Sequence, residues 1–318
     1  MISKLMIGRL GNQMFQYATM RAFQEENNIV EKFNMEFSNV RKNGSPEEGF
    51  INQLDCFKLN DEKYVIDEKI HISIWQKILL GIYFITYKII KVFSKKESYE
   101  NNKQKYEAKI QKFYNKNGLY LYNFGYYDFK NSKSEDKLFI GYYEASKYFD
   151  KIKQQIQEEF TPKYPKIEKN LKLYDIIENT ESVCISIRRG DFLSNANKGV
   201  CYVCTPEYFN KAIEKIKEEV KEPRFIVFSD DVDWVRNNMN FPDGTEYEEG
   251  NDPIWEKLRL MYSCKHFVIS NSSFSWWAQY LSRNEKKVVV APNKWRNYGY
   301  DSKDIYMNNW ILINTDKE

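Results

Sequence analysis

Three short polar runs carry the residue types that handle phosphate: Arg188-Arg189-Gly190-Asp191, Ser229-Asp230-Asp231 and Asn271-Ser272-Ser273-Phe274-Ser275. Arginine is always charged and offers a planar fork of N–H donors matched to phosphate oxygens. Gly190 lets the backbone turn sharply, and Asp191 sets a carboxylate beside two cations. Taken alone, this run also fits a surface salt-bridge turn, and Arg189-Gly190-Asp191 spells an adhesion tripeptide that arises often by chance. The hydroxyls and N–H groups of Ser272 to Ser275 suit a diphosphate at a helix N-terminus. An aspartate at a strand end, Asp230 or Asp231, suits a ribose or a purine edge. Asp231-Val232-Asp233 also has the spacing of a carboxylate pair that holds a divalent metal. A fourth cluster, Gly8-Arg9-Leu10-Gly11-Asn12-Gln13, is a glycine turn exposing polar groups.

These clusters matter because of what precedes them. Residues 183–187 alternate apolar side chains as a strand does, and residues 225–228, 266–270 and 288–291 read the same way. Between them, residues 205–220 open as a helix on Thr205-Pro206-Glu207, residues 254–262 read as another, and a third starts in 271–275 and runs through Leu281. Strands alternating with helices imply a doubly wound parallel sheet with ligands at the carboxyl ends of its strands. All three polar runs then fall on one sheet edge, which independent surface turns do not explain. At the N-terminus a strand over 2–7 meets the glycine turn, and Met14, Ala18 and Ala22 mark a following helix. This geometry can face an anion or a sugar, although a Gly-x-Gly-x-x-Gly fingerprint is absent. Residues 97–116 read as a charged helix, and the aromatic run 119–128 reads as a strand. Gly141-Tyr142-Tyr143-Glu144 follows, with Glu144 able to bond a sugar hydroxyl. Two prolines in Thr161-Pro162-Lys163-Tyr164-Pro165 mark a boundary, giving domains 1–160 and 161–318. Residues 31–70 offer only short apolar runs and a turn at Gly44-Ser45-Pro46.

A chain of 318 residues accommodates two domains with separate cores. A net charge of +3 is too small to argue for a nucleic-acid partner, while a locally basic pocket stays open. Five cysteines, an odd number in a long chain, argue against a disulfide framework. Cys201-Tyr202-Val203-Cys204 has the spacing of half a zinc site or a redox pair, but no second such pair exists to complete it. The first residues already read as a strand rather than a signal peptide, so the cytoplasm is the expected compartment. Residues 70–93 are apolar but interrupted by Lys77, Lys88 and Lys91. They fit a transmembrane helix poorly, and fit either a basic amphipathic helix on an anionic membrane or an internal helix packed on its own domain.

Taken together, the blocks resemble a family. Gly8-Arg9-Leu10-Gly11-Asn12-Gln13-Met14-Phe15-Gln16-Tyr17-Ala18, Ile187-Arg188-Arg189-Gly190-Asp191-Phe192, Phe228-Ser229-Asp230-Asp231 and Asn271-Ser272-Ser273-Phe274-Ser275-Trp276-Trp277-Ala278 look like the signature blocks of the α-1,2-fucosyltransferases, glycosyltransferase family 11. Gly141 to Phe149 resembles a looser fifth block. The resemblance implies a GT-B-type α/β fold, two Rossmann-like domains facing across a cleft, with the donor in the C-terminal one. It implies GDP-L-fucose as donor, the 2-hydroxyl of a terminal galactose as acceptor, inversion at the anomeric carbon, and neither cofactor nor essential metal. By position, Arg188 would hold the β-phosphate, Asn271, Ser272, Ser273 and Phe274 the nucleotide, and Asp230 the nucleoside. Arg9, Gly11 and Asn12 would face the sugar and leaving group. A role in bacterial surface-polysaccharide (O-antigen-like) synthesis, with peripheral contact at the inner membrane, would suit such an enzyme.

One departure bears on chemistry. Many family members carry histidine where this chain has Ser186, and serine is a poor general base at neutral pH. Asp191 and Glu144 become the base candidates, alongside the leaving phosphate itself. Use of another GDP-sugar, or a non-catalytic binding module on the same fold, are the competing readings.

Overall fold

Short apolar runs separated by helices build two parallel sheets. The computed structural model describes residues 1–37, 51–66, 68–195 and 197–315; the turn read at Gly44-Ser45-Pro46 lies outside them. The chain divides into two units, Met1–Glu159 with Tyr298–Tyr306, and Phe160–Asn297 with Met307–Glu318.

The first unit contains β1 (Ile2–Leu5), α1 (Leu10–Glu26), β2 (Phe33–Glu36), β3 (Tyr64–Ile66), α2 (Ile74–Phe93), α3 (Tyr99–Lys116), β4 (Leu119–Leu121), β5 (Lys137–Ile140) and α4 (Lys153–Glu159). Its strands lie in the order β3-β2-β1-β5-β4 and pair in parallel. The chain thus winds outward from β1 on one side and returns to place β5 on the other. Helix α1 is buried along almost its whole length, including Arg21. That guanidinium is matched by Glu159 at 3.0 Å, which also accepts from Tyr17 Oη at 2.6 Å. A buried cation persists only with such a partner.

Helices α2 and α3 form a hairpin on this sheet. Leu79 and Tyr83 of α2 pack with Tyr114, Leu119, Leu121 and Leu138. At its centre Glu107 accepts from Tyr83 Oη at 3.0 Å and from the Asn123 backbone N–H at 2.9 Å. Burial raises the Glu107 carboxyl to about 7, with the Asn123 and Tyr83 donors opposing that rise. No helix among the described residues is long and apolar enough to cross a membrane, so the transmembrane reading of 70–93 is set aside.

The second unit contains α5 (Leu171–Asn179), β6 (Glu181–Ile187), α6 (Lys198–Cys201), α7 (Pro206–Glu219), β7 (Pro223–Ser229), α8 (Val232–Asn238), β8 (Glu246–Tyr247), α9 (Ile254–Ser263), β9 (His266–Ile269), α10 (Ser273–Leu281), β10 (Val289–Pro292) and β11 (Ile311–Ile313). Its order is β11-β10-β9-β6-β7-β8, again parallel throughout. Strand β6 is buried from Ser182 to Ile187, as a central parallel strand covered on both faces must be.

Three expectations need correction. The aromatic strand expected over 119–128 stops at Leu121; after Tyr122 bonds to Ile140 at 3.2 Å the chain turns away, and Tyr120 stacks on Phe139 as core. The N-terminal strand ends at Leu5 rather than at residue 7. The second domain was also expected to hold everything after 160, yet Tyr298–Tyr306 clusters with the first unit. Tyr300 stacks on Phe124 at 3.6 Å, Gln104 exchanges two bonds with Asp301, and Asp304 accepts from the Tyr126 N–H and Lys147.

Candidate functional site

In a doubly wound sheet the two central strands feed connections to opposite sides, and their carboxyl ends open a crevice at that switch point. The second unit has its switch point between β6 and β9, and both ends carry the predicted chemistry. Ile187 pairs with Ser229 on one side, and Ser186 pairs with Ile269 on the other. Arg188 to Asp191, Ser229 to Asp231 and Asn271 to Ser275 therefore emerge at one edge.

Arg188 sits at the middle of that edge between two carboxylates. Its Nη2 donates to Asp191 Oδ1 at 2.6 Å, and its Nη1 lies 2.8 Å from Asp230 Oδ2. The other Asp230 oxygen accepts the Arg189 backbone N–H at 2.8 Å. Asp230, expected against the nucleoside, also braces the arginine turn. Gly190 is required by close approach, because a Cβ there would stand 2.5 Å from Asp230 Oδ2. The two arginines differ sharply. Arg189 is mostly buried, its guanidinium 3.1 Å from the Trp234 ring centroid and its Nε 3.2 Å from Asp231 Oδ2. Arg188 stays a quarter exposed, against 11% for Arg189, so it is the more open of the two to a ligand at this edge.

At the end of the neighbouring strand β9, Ser272 caps α10 with extended backbone and its carbonyl accepts the Trp276 N–H at 2.9 Å. A helix leaves its first N–H groups without intrahelical partners, and the macrodipole favours an anion there. Ser272, Ser273 and Phe274 are half-buried at this N-terminus. The Asn271 side chain is committed elsewhere: it donates to the carbonyls of Cys201 at 2.9 Å and Trp295 at 2.8 Å, and accepts from Cys204 Sγ at 3.5 Å. It ties two loops to the end of β9. Ser186 is buried in β6, its hydroxyl 2.7 Å from that of Ser275.

Cys201 and Cys204 do not resemble a metal site. Burial pushes the Cys204 thiol up to about 12, opposed by a weaker effect of Asn271, and also raises Cys201; zinc needs the thiolate. Among the described residues no group of three or more His, Cys, Asp and Glu could hold a metal ion.

The first unit has its own switch point, between β1 and β5, and Arg9, Gly11, Asn12 and Glu144 gather there. Arg9 is the exposed N-cap of α1, Gly11 is buried in its first turn, and Asn12 is half-buried over Gly8. Gly8 has φ +76°, and a Cβ there would lie 2.4 Å from Asn12 Nδ2. Two glutamines of the same block fix the turn: Gln13 Nε2 donates to the Gly8 carbonyl at 2.9 Å, and Gln16 exchanges bonds with Ile7 at 3.0 and 2.7 Å. In the segment that follows β5, the neighbour of β1, Glu144 is buried and its Oε2 accepts from Tyr300 Oη at 3.0 Å. The preceding Tyr143 has φ +55°, a left-handed conformation that bulky residues rarely adopt. Its hydroxyl anchors it to the Tyr120 carbonyl at 2.7 Å. Lys4 of β1 reaches the Gly141 carbonyl at 3.0 Å, and burial pulls its pKa well below that of a free lysine.

Sequence reasoning missed Tyr300, Lys4 and Trp234. Lys4 carried a signal, a lone charge inside an apolar strand. Tyr300 carried none, because its partner is 156 residues away.

The model of the family described as Glycosyl transferase family 11 matches residues 59–314. The chain belongs to glycosyltransferase family 11. This family 11 enzyme is 31% identical over 318 residues to the alpha-1,2-colitosyltransferase of Escherichia coli, covering 96% of each chain. It is 30% identical to the O-antigen biosynthesis glycosyltransferase WbnK of Escherichia coli, covering 96% of this chain and 98% of WbnK. A crystal structure of NodZ, an alpha-1,6-fucosyltransferase soaked with GDP-fucose, superposes with a TM-score of 0.50 at 10% identity, over 88% of this chain and 92% of that one. At that identity the likeness concerns the fold, which is the GT-B-type α/β arrangement of glycosyltransferases.

Proposed function

We propose that this enzyme is an inverting α-1,2-fucosyltransferase that moves L-fucose from GDP-L-fucose to the 2-hydroxyl of a terminal galactose, in the synthesis of an O-antigen-like surface polysaccharide on the cytoplasmic side. The observation that carries the reading is the second unit's switch point, where Arg188, braced by Asp191 and Asp230, leaves the end of β6 beside β9, the strand that leads into the N-terminus of α10. A cation and a set of backbone N–H groups at one crevice form a diphosphate cradle. In the reaction the bond from C1 of the sugar to the β-phosphate oxygen breaks, and its electron pair leaves on the phosphate. The galactose O2 bonds to C1 from the opposite face and gives up its proton. Arg188 stabilises the charge growing on the leaving phosphate, the kind of contact that contributes most when it strengthens in the transition state.

In this reading Ser272, Ser273 and Phe274 hold the nucleotide, and Asn271 acts through the loops it ties together. Arg9, Gly11 and Asn12 form the sugar-facing turn of the first unit. Glu144 receives the proton, since Asp191 is engaged by Arg188. Arg188 supplies the positive charge that a divalent metal would otherwise bring, so no metal takes part.

A second donor is favoured by one observation, the 31% identity to a colitosyltransferase. The test is GDP release in EDTA from GDP-L-fucose and, separately, GDP-colitose, with and without a panel of β-galactosides. Galactoside-stimulated release from GDP-L-fucose supports the reading. Stimulation with GDP-colitose alone replaces the sugar, and release that requires an added metal overturns the mechanism.

A further inference from the structure

Helix α2 is fastened on one side and bare on the other. Gln76, Leu79 and Tyr83 face inward and are buried. A capping box between Ser73 and Gln76 fixes its start, and Gln76 Nε2 also donates to the Asn117 and Asp136 carbonyls at 2.9 and 3.0 Å. The helix is therefore a rigid part of its unit. On the outer side Trp75, Ile78, Ile82, Ile85, Ile89 and Phe93 are exposed, from 48% at Ile82 to 85% at Phe93. Their spacing of three, four, three, four and four residues puts them on one stripe along the 20-residue helix. Single exposed apolar residues are ordinary, but a continuous stripe of this length is a site of contact.

Charge identifies the partner. Residues 69–96 contain no Asp or Glu but six lysines, Lys69, Lys77, Lys88, Lys91, Lys95 and Lys96. Lys77 and Lys88 fall beside the stripe at helical spacing, and both are exposed. Helix α3 packs alongside, with Trp75 Nε1 donating to Asn117 Oδ1 at 3.1 Å where its C-terminus meets the start of α2. It adds Lys105, Lys109, Lys112 and Lys116 on one exposed face. We infer that the outer face of this hairpin docks on an anionic bilayer surface, its apolar stripe entering the headgroup boundary and its lysines meeting lipid phosphates. Long lysine stems suit that depth, because they bury methylenes and keep the ammonium in water. A second copy of the chain fits worse: a two-fold pairing of this stripe would set uncompensated lysines against each other. The inference stands apart from the choice of donor sugar, since it concerns a different surface.

The test is cosedimentation of the full chain with sucrose-loaded vesicles of phosphatidylcholine, with and without one-third phosphatidylglycerol, at low and high salt. The expected result is binding to anionic vesicles at least tenfold tighter than to neutral ones, weakened by salt. The triple variant Ile82→Ser, Ile85→Ser, Ile89→Ser should lower it at least tenfold, and so should Lys77→Glu, Lys88→Glu, Lys91→Glu. Both sets lie outside the packed face, so melting temperature and GDP affinity should stay at wild-type values. Because the charge variant removes no apolar contact, it keeps the test valid if the serine variant folds poorly. Absence of wild-type binding to anionic vesicles overturns the inference. So does equal binding by both variants, or a dimer in sedimentation equilibrium that the serine variant dissolves.

Discussion

Replacing Arg188 separates a catalytic role from a structural one. Its two ion pairs, at 2.6 Å to Asp191 and 2.8 Å to Asp230, look strong by distance. The arginine side chain is 26% exposed and the Asp191 side chain 38%, and pairs this open to water contribute about 0–1 kcal/mol each. Arg188→Ala should therefore cost about 1 kcal/mol of folding stability, a shift of a few degrees in melting temperature. Loss of a preorganised donor to transition-state charge costs far more, about 3–4 kcal/mol or roughly 10²–10³ in kcat. Arg188→Lys keeps the charge but cannot span two carboxylates while presenting a fork, so it should recover less than about a tenth of wild-type activity. The assay is GDP release under saturating and limiting GDP-L-fucose, with melting temperature measured on the same samples. Retention of kcat/KM within about threefold in Arg188→Ala would refute the assignment. An activity loss that merely follows the unfolded fraction would refute it equally.

Other expectations follow from the same geometry. Gly190→Ala forces a methyl to 2.5 Å from Asp230 Oδ2 and should displace the carboxylate that braces Arg188; donor kinetics should show a loss of tenfold or more in kcat/KM with a nearly wild-type circular dichroism spectrum. Tyr300→Phe keeps the stack on Phe124 and removes the hydroxyl's bond to Glu144. A hydrogen bond to a charged group contributes about 1.5–3 kcal/mol, so kcat should fall about tenfold or more with a changed pH profile, whereas Glu144→Gln should abolish that pH dependence and Asp191→Asn should not. Glu107 binds its proton more tightly folded than unfolded, since burial lifts it from 4.5 to about 7. Its stabilising effect is full below about pH 4.5 and is lost as pH rises to about 7, by about 3 kcal/mol. Urea unfolding at pH 5 and pH 7.5 should show that decline in the wild type and a smaller one in Glu107→Gln.

Local chemistry was legible in the chain because it is written in consecutive residues. Apolar alternation ending in Arg188, in Ser229 or before Asn271 announces a strand and a polar lip, and Thr205-Pro206-Glu207 announces a helix start that the structure has at Pro206. The chain-wide order of such blocks was enough to point to family 11. Strands of three or four residues such as Phe33–Glu36 and Tyr64–Ile66 escaped notice, because a period of two needs more residues to stand out.

What only the tertiary structure decided are the partners far apart in sequence. Strand order brings Asp230 to Arg188, and makes one arginine a buried stacking residue and its neighbour a quarter-exposed cation. It returns Tyr298–Tyr306 to the first unit, where Tyr300 reaches Glu144. It also shows which face of Ile74–Phe93 is covered, a question that periodicity alone leaves open. The physical reason is common to all three. Alternation and caps are local preferences of the backbone, whereas the pairing of charges and the covering of a helix face depend on which elements become neighbours when the sheets close.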